Sequence, residues 1–192
     1  AGSRQRLLTF PNEEDNCLIC HNGKVSVLDI EATTRKSSAH NVMATQGVHD
    51  PLEKLVNPPR HVECVDCHNP HAARSKPVEP PAASGALRGV KGVDASGNAV
   101  QNIAREYELC YRCHADSVLK GSALISRIDP ERNTRFEFDP KNPSFHPVVA
   151  PGRNRDVPSL IHPLTEDSLI YCTSCHNNDQ RRANGGTGPD GP

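Results

Sequence analysis

The 192-residue sequence predicts a mostly irregular chain with a few short α-helices, organised as one domain over residues 1–192. Three observations predict this class. Hydrophobic residues make up 35% and aromatics 4%, with no Trp; even with 13 Gly added this is short of the roughly 45–50% apolar content of an ordinary globular domain. The 17 Pro interrupt long helices and strands. Side chains alone then cannot build a large core, and a compact fold needs another source of buried apolar surface. The third observation names that source. All eight Cys fall into four copies of one pentapeptide, Cys-x-x-Cys-His: Cys17–His21, Cys64–His68, Cys110–His114 and Cys172–His176.

With eight Cys and ten His in the chain, composition predicts far less than one such copy by chance. A zinc site would use Cys and His as tetrahedral ligands without requiring His directly after the second Cys each time. A thioredoxin-type pair would occur once, on a βαβ background that is absent. Covalent c-type haem attachment requires the whole pentapeptide. The two thiols bond to the two vinyl groups, and the adjacent His is thereby held under the iron. The expectation is four covalently attached haems, with Cys17, Cys20, Cys64, Cys67, Cys110, Cys113, Cys172 and Cys175 as attachment points. His21, His68, His114 and His176 are the expected proximal iron ligands. Stacked haems then form the core, and the polypeptide wraps them.

Charge and hydropathy bound the partners. A net charge of −1 and a pI of about 6.9 give no electrostatic case for nucleic acid. Two propionates per haem would make the loaded protein about eight charges more negative. No apolar run approaches the roughly 18 residues of a membrane span. Attachment of this kind takes place outside the cytoplasm. The polar start at Ala1, with no charged-then-apolar leader, reads as a mature secreted product.

The elements follow in order. Motif spacings of 47, 46 and 62 residues suit one haem unit after another rather than a solenoid. Short helical turns are expected at the first, second and fourth motifs, because thiols and imidazole must share one side. Lys76–Gln101, rich in Pro, Gly, Ala and Ser, reads as a long connecting loop. Glu106–Lys120 reads as a helix through the third motif, with acidic residues early and Gly121 beyond its end. Arg135–Phe138 alternates two aromatics and reads as a short strand. Gly185–Pro192 reads as a disordered tail.

Six His remain for the second axial positions: His40, His49, His61, His71, His146 and His162. Only one Met, Met43, could give the His/Met ligation that raises potential, so bis-His haems are expected throughout. Such irons have no open position for substrate, which argues against an enzyme. His71, His146, His61 and His40 are the expected distal ligands in that order; His49 and His162 rank last. His61 and His71 flank the second motif, whose near side His68 already occupies, so each is expected to cross to a neighbouring haem. Pro143 and Pro147 stiffen the approach to His146.

The segments His61–His71, Glu108–His114 and Ile170–Asn177, with the Phe145–Val148 stretch, resemble multihaem cytochromes with paired haem-binding motifs. Four haems in a chain of this length is similar to the OmcE-type extracellular cytochrome filaments of metal-reducing bacteria and their archaeal counterparts. The resemblance implies subunits that polymerise head to tail with a continuous row of haems, one distal His coming from the adjacent copy. His162 sits where the family pattern places no ligand. Partners implied are copies of the chain itself and other cytochromes or extracellular electron acceptors, at an extracellular or cell-surface location. Two other functions remain open at this point: a soluble periplasmic tetrahaem carrier, and a multihaem reductase with one open haem.

Overall fold

The computed structural model describes residues 8–36, 39–44, 46, 52, 61–116, 128 and 133–176. Most of these are turns, bends and coil, as the composition predicts. Their helices are α1 (Glu13–Leu18), α2 (Ile30–Thr34), α3 (Cys64–Cys67), α4 (Glu106–His114) and α5 (Thr134–Glu137), with 3₁₀ turns at Gly85–Leu87 and Cys172–Ser174. The only strands among them, β1 (Gly92–Val93) and β2 (Ala99–Val100), form an antiparallel pair with Gly92 opposite Val100. The chain divides into two compact units. One takes the described residues of Ala1–Leu52 and Arg60–Cys67 with His176; the other takes those of His68–Cys175.

In the first unit, Asn16 organises the entry to α1. Its Oδ1 accepts from the N–H groups of Thr9 and Phe10 at 2.8 and 3.0 Å, and its Nδ2 donates to the Asn12 carbonyl at 2.6 Å. Asp29 caps α2 by accepting from Ala32 N–H at 2.9 Å. The first N–H groups of α2, on Ile30 and Glu31, donate to the His21 carbonyl at 2.9 and 3.2 Å. The helix thus backs directly onto the end of the first motif.

The second unit has a small core of Val93, Tyr107, Tyr111, Ala115 and Val148. Tyr107 and Tyr111 lie one turn apart on α4 with ring centroids 5.1 Å apart. Strand β1 presses against this helix so closely that a Cβ on Gly92 would meet the Glu108 carbonyl oxygen at 2.5 Å. The N-terminus of α4 is satisfied by Glu108, whose Oε2 accepts from Ala104 and Arg105 N–H at 2.7 and 3.1 Å.

Three expectations are corrected. Lys76–Gln101 is not a featureless loop, since it carries the Gly85–Leu87 turn and both strands. Asp94 builds the hairpin, its Oδ1 accepting from Ser96 and Asn98 N–H at 2.9 and 2.8 Å. Arg135–Phe138 is helical rather than extended. Asn133 caps α5 by accepting from Arg135 N–H at 3.0 Å, and Arg135 pairs with Asp116 through Nε and Nη2 at 2.9 and 2.7 Å. Helix α4 stops at His114, where Ala115 turns away with φ −93° and ψ −100°. Thr134 then donates to the His114 carbonyl at 3.0 Å. Residues 117–120 of the expected helix, the 185–192 segment and His49 lie outside the described residues.

Candidate haem-binding sites

Each motif is wound as a helical turn. In the first, Cys20 and His21 N–H groups both donate to the Cys17 carbonyl at 3.2 Å. The second is α3 itself, and the third is the last turn and a half of α4. In the fourth, Cys175 N–H donates to the Cys172 carbonyl at 3.2 Å. Helical winding brings residues three and four apart onto one face. In the third motif the winding runs from Cys110 through His114, whereas α3 ends at Cys67 and leaves His68 just beyond it. Burial is graded within three of the motifs. Cys17, Cys110 and Cys172 are half-buried whereas Cys20, Cys113 and Cys175 are exposed; in the second motif Cys64 and Cys67 are both half-buried. His21, His68, His114 and His176 present their rings at the surface.

The first thiols of the motifs meet in pairs. In the first unit the Cys17 and Cys64 thiols share a hydrogen bond, which holds the Cys17 thiol below its ordinary value and pushes Cys64 well above it. In the second unit Cys110 and Cys172 share one, which lowers the Cys172 thiol in the same way. Motifs one and two are therefore neighbours, and so are motifs three and four.

Two glutamates hold these neighbours together. Glu13 on α1 accepts through Oε1 from the Val65 N–H at 2.9 Å. Glu106 on α4 is hydrogen-bonded at one carboxylate oxygen to Thr173 and the Cys172 N–H, while its Oε2 is buried with no hydrogen-bond partner. Burial raises the Glu106 carboxyl above its usual range despite those bonds. Neither glutamate was singled out by sequence reasoning. A signal exists, since each stands four residues before the first Cys of its motif.

The second-motif imidazole is held by a backbone carbonyl. His68 Nδ1 lies 3.2 Å from the Ala86 carbonyl oxygen, in the Gly85–Leu87 turn. A proton on Nδ1 donated to that carbonyl leaves Nε2 as the lone-pair nitrogen for a metal. His71 follows on a turn built by Asn69. The Asn69 Oδ1 accepts from His71 N–H at 3.0 Å, and its Nδ2 donates to the Gly89 carbonyl at 3.2 Å. Gly89 has φ +77°, and a Cβ there would meet the Ala72 Cβ at 2.8 Å, so this close approach needs glycine.

The other candidate ligands have separate settings. His146 is exposed but anchored, because Val148 beside it is buried in the core and Ile170 N–H donates to the Pro147 carbonyl at 3.0 Å. That bond lays the His146 segment beside the approach to the fourth motif. His40 is exposed next to buried Val42. His61 sits with Glu63 and Asp66, their ligand atoms all within 4.8 Å of one another. His162 is exposed.

Haem fits this residue set on two counts. The His68 ring is hydrogen-bonded through Nδ1 as a metal-bound ring is, and the described residues include only nine buried apolar side chains. The last point leaves a need for apolar surface that a porphyrin supplies. A tetrahedral zinc site fits less well, because the donor atoms that converge among the described residues are those of His61, Glu63 and Asp66, with no motif Cys. No family model matches the chain, and no curated protein or solved structure matches it significantly. Among the described residues no helix is long and apolar enough to cross a membrane.

Proposed function

We propose that the protein transfers electrons through four closely spaced, bis-His c-type haems, as the repeating subunit of an extracellular cytochrome filament. The observation that carries this reading is the pairing of the motifs. In a chain whose every cysteine belongs to a Cys-x-x-Cys-His turn, Cys17 meets Cys64 and Cys110 meets Cys172. Attachment points this close call for cofactors that are neighbours in space, which hopping between them requires. When bound, haem supplies reversible one-electron chemistry at its iron and the apolar surface that the sequence lacks.

The chain's own residues would do the rest. Eight thiols fix position, and His21, His68, His114 and His176 hold the iron from one side. His71, His146, His61 and His40 are assigned to the other side, so no coordination position is left for substrate; this supports a conduit over an enzyme. His61 has Glu63 and Asp66 at hand to accept its second ring N–H, an arrangement that fixes tautomer and raises ligand basicity. Polymerisation through a head-to-tail interface is supported by apolar side chains set out on the surface of the first unit, with Val25, Val27 and Leu28 exposed to 70%, 99% and 59%.

Two measurements test this. A pyridine haemochrome assay with intact mass should give four thioether-bound haems per chain; a chain without haem overturns the whole reading. Negative-stain electron microscopy of the loaded protein at neutral pH should show filaments of uniform width. Discrete monomers would instead make it a soluble periplasmic carrier. A high-spin iron that binds small ligands would favour a reductase.

A further inference from the structure

The two units share one construction. In each, a helix carrying the first Cys of an odd-numbered motif, α1 or α4, starts with a glutamate four residues before that Cys, Glu13 or Glu106. In each, that carboxylate is buried, with 4% and 8% of the residue exposed. It reaches the backbone of the even-numbered motif at the same place. Glu13 accepts from the Val65 N–H at 2.9 Å, and Glu106 is hydrogen-bonded to Thr173 through one oxygen while its Oε2 is buried without a partner; Val65 and Thr173 each directly follow the first Cys of their motif. The even-numbered turns are braced alike as well. Asp66 Oδ2 accepts from Glu63 N–H at 2.8 Å and Ser174 Oγ accepts from Tyr171 N–H at 3.1 Å, in each case linking the third motif residue to the one before the motif. The first thiols then meet across the pair in both units.

A carboxylate bonded to the N–H next to a cysteine fixes where that cysteine sits relative to the helix carrying the carboxylate. We propose that Glu13 and Glu106 are equivalent positioning residues that set the separation and tilt of the two haems within each pair, so that the chain consists of two dihaem modules built by the same device. This rests on the haem reading above. It assigns the spacing within a pair to two side chains that bind neither iron nor porphyrin. An ionised or neutral acceptor serves equally, because the donors are N–H and O–H groups. Side-chain length is what matters.

The test uses the loaded protein and Glu→Gln and Glu→Asp variants at both positions, singly and together. Gln keeps an acceptor oxygen at the same reach, whereas Asp withdraws it by one methylene. The readout is the two-signed Soret circular dichroism couplet from coupling between neighbouring haems, alongside haem content by pyridine haemochrome. Glu13→Asp and Glu106→Asp should each alter the couplet with four haems retained, and the double Asp variant should alter it most. The Gln variants should keep the wild-type couplet. An unchanged couplet in the double Asp variant overturns the proposal. So does loss of haem from the Asp variants, since that would make the glutamates determinants of attachment and not of spacing. Wild-type protein without haem would overturn the functional reading itself, and that result precedes any variant.

Discussion

His68 Nδ1 faces the Ala86 carbonyl oxygen at 3.2 Å, across a turn that composition alone would have left as linker. Bonding of this kind makes a histidine a better and better-aimed metal ligand, because ring rotation and tautomer are both fixed before the metal arrives. On the proposed tetrahaem reading, His68→Ala should therefore disturb one haem of the four. Expected is either a chain carrying three haems or one high-spin iron in the electron paramagnetic resonance spectrum beside three low-spin ones. Four unperturbed low-spin irons in the variant would remove His68 from the ligand set.

Asn69 supports His71 from the other side of the same motif. Asn69→Ala deletes its bonds to His71 N–H and the Gly89 carbonyl. The expected cost is about 1–2 kcal/mol of stability, from two modest hydrogen bonds. If His71 is a distal ligand, the same variant should also show a fraction of high-spin iron, because the ligand loses its fixed approach. A stability loss with no spectral change would leave Asn69 as a turn builder and count against His71.

Gly92 tests how tightly β1 sits on α4. A methyl group at this position would meet both the Glu108 carbonyl oxygen and Ile103 Cγ2 at 2.5 Å. Backbone must move to admit it, since the nearest atom is main chain. Gly92→Ala should lower stability by about 1–3 kcal/mol, as overpacking does, read as a shifted urea midpoint with unchanged slope. An unshifted midpoint would mean that the strand and helix are not in contact.

The buried carboxyl of Glu106 gives a pH dependence of defined sign. Its folded-state pKa lies above the ordinary value of 4.5, chiefly because burial disfavours the charged form. Between the two values the folded chain holds a proton that the unfolded chain has released. The stabilising contribution is therefore complete below 4.5 and is lost as pH rises through the folded-state value. Wild-type protein should lose stability relative to Glu106→Gln as pH rises from acid to neutrality. A difference of the opposite slope would show that the carboxylate is held in its charged form.

The helical turns at the four motifs were legible in the sequence because the haem reading requires two thiols and an imidazole to leave one side of the chain. The scarcity of regular structure was legible from 17 Pro and the low apolar content. The hairpin was hidden because each strand has two residues, too few to display alternation, and because Asp94 rather than a hydrophobic pattern holds it. The Phe136–Phe138 alternation misled for a related reason. Asn133 capping and the Asp116–Arg135 pair decide that segment's winding, and both are polar contacts invisible to apolar periodicity. Glu13 and Glu106 escaped notice because they bond to backbone N–H groups far along the chain, which carry no residue signature.

The packing of Val93 against Tyr107 and Tyr111 joins residues close together along the chain, whereas the bond from Glu13 to Val65 spans 52 positions. The entropy lost on closing a loop grows with its length, so the nearer contact forms at lower cost. Pulse-labelled hydrogen exchange during refolding should accordingly protect the Tyr111 amide before that of Val65. The third Cys-x-x-Cys-His turn would then be formed while the first and second were still apart, so the order in which these turns form would follow loop length and not the direction of synthesis.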